Sequence, residues 1–239
     1  MKLDILAIGV HPDDIELGCG ATVLKQINLG YKVGFLDLTQ GELGTRGSAK
    51  IRLEESEAAK AFAGALVREN LKLADGFFRN DHASKIKIIE IIRKYQPDIV
   101  LANAIKDRHP DHGKASKLVY DACFLSGLVK VVTLDENDQK QDKWRPRKLL
   151  NYIQDMDLVP DIVIDVTGYI EKKVELVLHF KSQFYDPDSN DIETPITSPE
   201  FIQNLTGRAI NHGRRIGVQH GEGFTCETLV GIDDITKLL

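Results

Sequence analysis

The stretch Ile8-Gly9-Val10-His11-Pro12-Asp13-Asp14-Ile15-Glu16 decides the fold, because a buried-type apolar run ends there in side chains that ligate metals. Residues 3–10 are nearly continuous in apolar character, the pattern of a strand covered on both faces of a parallel sheet. A helix follows: Leu17, Ala21, Leu24 and Asn28 recur at spacings of three or four, and Gly30 stands where it would stop. Residues 31–39 then read as a second strand, completing a β-α-β unit whose crossover is expected to be right-handed. The pattern has an echo. A second apolar run, residues 98–103, leads to His109-Pro110-Asp111-His112, another His-Pro-Asp tetrad.

Working outward, residues 40–47 form a glycine-rich loop, and residues 50–64 carry alternating charge beside Ile51, Ala58, Ala59 and Phe62, an amphipathic helix. Residues 68–74 are a third strand. Residues 85–95, with five isoleucines and closed by Pro97, are a helix, residues 99–102 a fourth strand, and residues 114–125 the next helix. A polar excursion, residues 135–147, precedes strands at 148–153 and 161–166 and a helix at 169–180. Residues 186–199, rich in Pro, Asp, Ser and Thr, read as a loop long enough to imply a functional role or mobility. Residues 200–216 are a last helix and residues 228–232 a possible edge strand. The alternation specifies an α/β fold, Rossmann-like, with one open, largely parallel sheet, helices on both faces and a single domain over residues 1–239. In such sheets ligands bind outside the carboxyl ends of the strands. In the order 3-2-1-4-5 the first and fourth strands are neighbours, so the two tetrads are expected to converge.

The totals bound the function. With 239 residues, 42% of them hydrophobic, the chain can bury one sizeable core, and a formal charge of -5 argues against general affinity for nucleic acid or acidic membranes. An anionic substrate would need a local basic patch. Cys19, Cys123 and Cys226 are isolated, so neither a disulfide framework nor a thiolate zinc site is implied. The first apolar run is too short for a signal-peptide core or a membrane span, and a cytoplasmic location is expected. Gly18-Cys19-Gly20 lacks the third glycine of a dinucleotide fingerprint and follows an acidic turn, which argues against a nicotinamide enzyme.

Each tetrad alone has a structural explanation: Asp13 or Asp14 could cap one helix and Asp111 the next. Two tetrads on neighbouring strands, with three histidines and three aspartates between them, are hard to explain as caps. Zinc takes imidazole nitrogen and carboxylate oxygen, and a catalytic site offers three protein ligands with one position open. His11, Asp14 and His112 supply that set, one ion per subunit, although another divalent ion would suit it. Asp13 is then left beside the metal as the general base. His109 is expected to stabilise oxyanion charge when protonated or to pass a proton to the leaving amine, with Asp111 orienting its ring.

These residues carry a resemblance. His11-Pro12-Asp13-Asp14 and His109-Pro110-Asp111-His112, with Arg52 on the helix after the second strand, resemble the LmbE-like, or PIG-L, family of zinc-dependent N-deacetylases. The likeness runs on through Lys181-Ser182-Gln183-Phe184, Thr194-Pro195, Gly217-Val218 and Gly221-Glu222-Gly223-Phe224. The loop at residues 41–47 and the tail at 219–224 look most like the bacillithiol-pathway branch, whose members remove acetate from N-acetylglucosaminyl malate. The resemblance implies the same ligands, base and electrophile, and implies that Arg52 binds sugar hydroxyls; without it, Arg52 reads as an exposed ion pair with Glu55 or Glu57. Arg46 and Arg108 are candidates for the malate carboxylates, since a dianion on an acidic protein needs fixed guanidinium groups. Free GlcNAc, a chitobiose unit or a thiol conjugate are alternative substrates, and a non-catalytic metal-binding protein is the distant rival. Arg145 and Arg147 read either as outer support for the acidic centre or as plain surface. His82, His179, His212 and His220 lack ligand spacing and read as structural or solvent-facing. Relatives of this kind assemble as trimers or hexamers, so a homo-oligomer is expected.

Overall fold

The structure, a computed structural model, describes residues 1–184 and 192–239. Its centre is a seven-stranded sheet in the order β3-β2-β1-β4-β5-β7-β6. The strands are β1 (Ile5–Gly9), β2 (Val33–Thr39), β3 (Val67–Leu73), β4 (Ile99–Ala102), β5 (Lys148–Tyr152), β6 (Ile162–Asp165) and β7 (Gly221–Thr225). All pairings from β3 across to β5 are parallel, and β7 runs antiparallel between β5 and β6. β1 and β4 are neighbours, with Ala7 opposite Leu101, so the segments leaving their carboxyl ends share one edge.

Strand alternation sends successive side chains to opposite faces. Leu6 and Ile8 join Leu36, Leu38, Ile88 and Leu118 on the side of α3 (His82–Tyr95) and α4 (Pro110–Ser126). Ile5, Ala7 and Phe35 join Ile15, Ala59, Leu176 and Leu205 on the side of α1 (Asp14–Asn28), α2 (Ala49–Ala63), α5 (Ile170–Val177) and α6 (Pro199–Arg215). The helices begin and end for local reasons. Ser48 accepts the Ile51 N–H to open α2, which stops at Gly64 with φ +78°. Asp81 likewise opens α3, which ends before Pro97.

Three expectations are corrected. The stretch 228–232 is not a strand: Thr228 is held by the Lys148 ammonium at 2.9 Å. The last strand is β7 instead, passed over because Gly221 and Gly223 have low strand propensity. A Cβ on Gly223 would lie 2.7 Å from the His212 ring, so α6 packs on this strand only because it is bare. Finally, α4 starts at Pro110 rather than 114, which puts Asp111 and His112 in its first turn. Of the loop expected at 186–199, residues 186–191 lie outside the described residues. Among the described residues no helix is long and apolar enough to cross a membrane.

Candidate metal centre

The tetrads meet. The ring centroids of His11 and His109 are 4.7 Å apart, those of His109 and His112 5.2 Å, and those of His11 and His112 5.7 Å. They lie in a cleft of about 320 Å³ that also receives Asp13, Asp14, Arg52 and Arg108.

Asp14 is the hub. One carboxylate oxygen accepts the His11 N–H at 2.9 Å and an Asn103 amide N–H at 3.0 Å; the other accepts from Gln154 at 3.0 Å. The same two oxygens face His11 Nδ1 at 3.5 Å and His112 Nε2 at 3.2 Å. Each histidine is held from behind by a different carboxylate: His11 Nε2 by Asp75 at 3.0 Å, and His112 Nδ1 by Asp107 at 2.5 Å. A carboxylate on one imidazole nitrogen fixes the ring and leaves the other nitrogen as the ligand. Two ligands at zinc bond lengths in tetrahedral arrangement stand about 3.4 Å apart, close to both separations from Asp14. On these two separations His11 Nδ1, His112 Nε2 and Asp14 could hold a divalent ion of zinc's size. Ligand atoms of His11, His109 and His112, and of His11, Asp75 and Asp111, also come within 4.8 Å of one another. In the first group His109 Nδ1 accepts the Asp111 N–H at 3.3 Å, which leaves Nε2 as the nitrogen His109 could offer; in the second, Asp111 is engaged by Gly76 N–H and Lys114.

Charge in this centre follows from its neighbours. Burial disfavours the charged forms of His11 and His112, but Asp14 and Asp75 raise the first to about 9, and Asp14 and Asp107 raise the second to about 10. Burial also opposes ionisation of Asp14, yet His112 and His11 hold its carboxyl well below the usual range. Asp13 behaves differently. Burial lifts it to about 7 against the pull of Arg52, whose guanidinium lies 2.9 Å from its carboxylate. Asp13 also has φ +131°, a region that costs a non-glycine residue about 1–3 kcal/mol, and Arg52 fastens this turn by donating to the Pro12 carbonyl at 2.6 Å.

His109 is the N-cap of α4, and its Nδ1 accepts the Asp111 N–H, so the neutral ring keeps its proton on Nε2. Burial and the charges of His11 and His112 push its pKa down. In its neutral form His109 offers an N–H donor through Nε2. The Asp111 carboxylate does not orient that ring: it takes the Gly76 N–H and Lys114, with one oxygen 3.9 Å from His11. Neither helix is capped by an aspartate side chain, so the simple capping explanation fails.

Arg52 is buried on Asp13 rather than paired with Glu55 or Glu57; Glu55 takes Ser182, and Glu57 pairs with Lys60. Arg108 lines the cleft, exposed, with Asp155 at 2.7 Å. Arg46 does not line it: its guanidinium is buried against the Phe184 carbonyl at 3.4 Å. Arg145 lies on Phe124, 4.3 Å from the ring centroid, and Arg147 precedes β5, both at the amino edge of the sheet. His82 is exposed and His179 half-buried against Phe62, whereas His212 and His220 are buried where α6 covers β7. Asp75, Asp107, Asn103 and Gln154 escaped the sequence reading. All four follow the carboxyl ends of β3, β4 or β5, the signal that had located the tetrads. Ile196, from the described part of the long loop, also reaches the cleft.

Residues 6–123 match the family described as PIG-L: GlcNAc-PI de-N-acetylase. The diacetylchitobiose deacetylase of Thermococcus kodakarensis is 28% identical over 92% of this chain and 81% of its own length. A conserved protein of Thermus thermophilus, TT1542, superposes with a TM-score of 0.84 at 29% identity, covering 97% of this chain and 98% of its own. The 4-oxalmesaconate hydratase of Pseudomonas putida is 24% identical over 70% of this chain and 69% of its own length.

Proposed function

We propose that the chain is a deacetylase of the PIG-L, LmbE-like family and that it hydrolyses the acetamide of N-acetylglucosaminyl L-malate in bacillithiol synthesis. The observation that carries the hydrolytic reading is Asp14 between two histidines, each backed by its own carboxylate, with Asp13 alongside on Arg52. His11, Asp14 and His112 would hold zinc or a similar divalent ion. When bound, that ion supplies Lewis acidity toward the acetamide oxygen and the attacking water.

Asp13 takes a proton from the water as its oxygen bonds to the acetamide carbon. Its pKa of about 7 suits both that step and the return of the proton to the amine nitrogen when the C–N bond breaks and acetate leaves. His109 Nε2–H donates to the oxyanion formed between those steps. Arg52 keeps the base in place and presents its remaining N–H groups to the sugar. The acidic aglycone is supported by Arg108, an exposed guanidinium on the cleft wall, and by Gly44 and Thr45, loop residues that line it. Arg46 drops out as a malate contact. The enzyme works as a cytoplasmic homo-oligomer in this reading.

The test is amine release from N-acetylglucosaminyl malate, free GlcNAc and diacetylchitobiose by zinc-reconstituted protein. A higher kcat/KM for the malate glycoside supports the assignment, and equal or lower values refute the acidic aglycone. A second reading, hydration of an unsaturated oxo-polycarboxylic acid, is favoured by the hydratase relative. Loss of the unsaturated acid's ultraviolet absorbance, without acetate release from any acetamide, would select it.

A further inference from the structure

Helix α1 is broken. Cys19 sits at φ -138°, ψ 23°, outside the helical region, so residues 14–18 form one short segment and residues 20–28 another. The break exposes backbone N–H groups at the start of the second segment. Both oxygens of Glu222, on β7, fill that position: one accepts the Ala21 N–H at 3.2 Å and the other the Thr22 N–H at 2.7 Å. A carboxylate across two successive N–H groups at a helix start is favoured by their hydrogen bonds and by the helix dipole. Lys173, from α5, neutralises it at 2.6 Å, and both side chains are buried.

The glycines beside the break show that the bend is fitted to its surroundings. A Cβ on Gly18 would lie 2.1 Å from the Tyr152 ring, and one on Gly20 3.2 Å from the Lys173 side chain. Tyr152 in turn donates to the Ile8 carbonyl at 2.9 Å, inside β1. The segment between that strand and the break is the one that carries Asp13 and Asp14.

We propose that Glu222 is a positioning residue: by capping the second half of α1 it fixes the bend at Cys19 and so the aim of Asp14 into the metal centre. This rests on the metal reading of the site. It accounts for the Gly-Glu-Gly-Phe tail motif and for Gly18-Cys19-Gly20, neither of which touches the cleft chemistry.

Three variants test it: Glu222→Gln, Lys173→Met, and the two combined. Zinc affinity is read by chelator competition, stability by thermal melting of the metal-free protein, and order in residues 14–22 by amide exchange. Glu222→Gln is expected to lose affinity about tenfold and to speed exchange of the Ala21 and Thr22 amides. The double variant, with no buried lone ammonium, should recover melting temperature without recovering affinity. Lys173→Met, which keeps the carboxylate on the N–H pair, should bind zinc within about threefold of wild type. Affinity that returns together with melting temperature in the double variant would overturn the positioning role, as would Glu222→Gln that melts early but binds zinc normally. A wild-type protein that binds no zinc would sink the metal reading instead; amide exchange in Glu222→Gln would then still decide whether the carboxylate fixes the bend.

Discussion

Replacing Asp107 by asparagine probes the metal centre through a residue that touches no substrate. The native carboxylate is fully used: one oxygen accepts the Met156 N–H at 2.6 Å, the other meets His112 Nδ1, and the side chain is wholly buried. Asparagine has one carbonyl oxygen, so its amide must face one of these two N–H groups. One charge-assisted bond is lost, worth about 1.5–3 kcal/mol. If the bond to His112 is the one lost, the ring is free to move its proton to Nε2, where it blocks a metal. Losing a carboxylate behind a histidine ligand costs about 10–100-fold in affinity, or about 1.4–2.8 kcal/mol. A second effect opposes this. Asp107 helps raise His112 to about 10, so at pH 7 zinc must displace a proton that the variant holds less tightly. The loss should therefore be small near pH 7 and should grow toward the full value near pH 9–10, where the wild-type ring gives up its proton unaided. Chelator-buffered zinc titrations at pH 7 and 9 measure it. A variant that matches wild type at pH 9, or a deficit that shrinks as pH rises, would refute the arrangement of donors described above.

Asp13→Asn should keep zinc affinity within about threefold while lowering kcat by about 10²–10⁴; full activity in single-turnover assays would remove Asp13 from the base role. Arg52 pulls the Asp13 pKa down, so Arg52→Gln should move the acid limb of the kcat/KM profile to higher pH. A limb that stays put, or moves to lower pH, would show that the guanidinium does not govern the base. The metal-free protein should lose stability as pH rises. Asp13 is raised from 3.8 to about 7, and His11 and His112 from 6.5 to about 9 and 10, so the folded state binds more protons than the unfolded chain through those windows. The histidine contributions are complete below about pH 6.5 and are lost as pH passes the folded values. Melting curves of chelator-treated protein from pH 6 to 10 check the sign, and a rising midpoint contradicts it. Gly18→Ala, ordinarily a gain of up to about 1 kcal/mol in a helix, should instead cost about 1–3 kcal/mol, because its Cβ would overlap the Tyr152 ring at 2.1 Å. An unchanged or raised melting temperature would mean that the ring yields.

What could be read from the chain differed by the range of the interaction. β1, β2 and β4 were visible because they are buried on both faces and mostly apolar, and β1 beside β4 followed from topology rules alone. That adjacency was enough to bring His11, Asp14, His109 and His112 together. Gly221 to Thr225 was invisible as a strand because its place in the sheet comes from α6 packing onto bare backbone, a tertiary fact without local propensity. Asp75 and Asp107 were missed for a related reason. A lone aspartate in a loop looks like surface until strand order shows which loops face each other. Helical spacing alone points Arg52 to Glu55 and Glu57, and only the resemblance placed it in the site; the Gly41 and Pro12 carbonyls draw its guanidinium inward.

Electrostatic balance ties these parts together. Asp13, Asp14, Asp75, Asp107 and Asp111 surround the three histidines, and Arg52 and Lys114 are fixed cations that contact this group directly. Without a metal, the neighbouring carboxylates favour protons on His11 and His112, while burial raises Asp13 against the pull of Arg52. A divalent ion seated among His11, Asp14 and His112 would displace the two imidazole protons and leave the net charge of the centre unchanged. Acidic residues that look excessive in the metal-free state therefore match the ion the donors fit, and Asp13 is set apart by its own cation, Arg52, which leaves it free to exchange a proton with substrate.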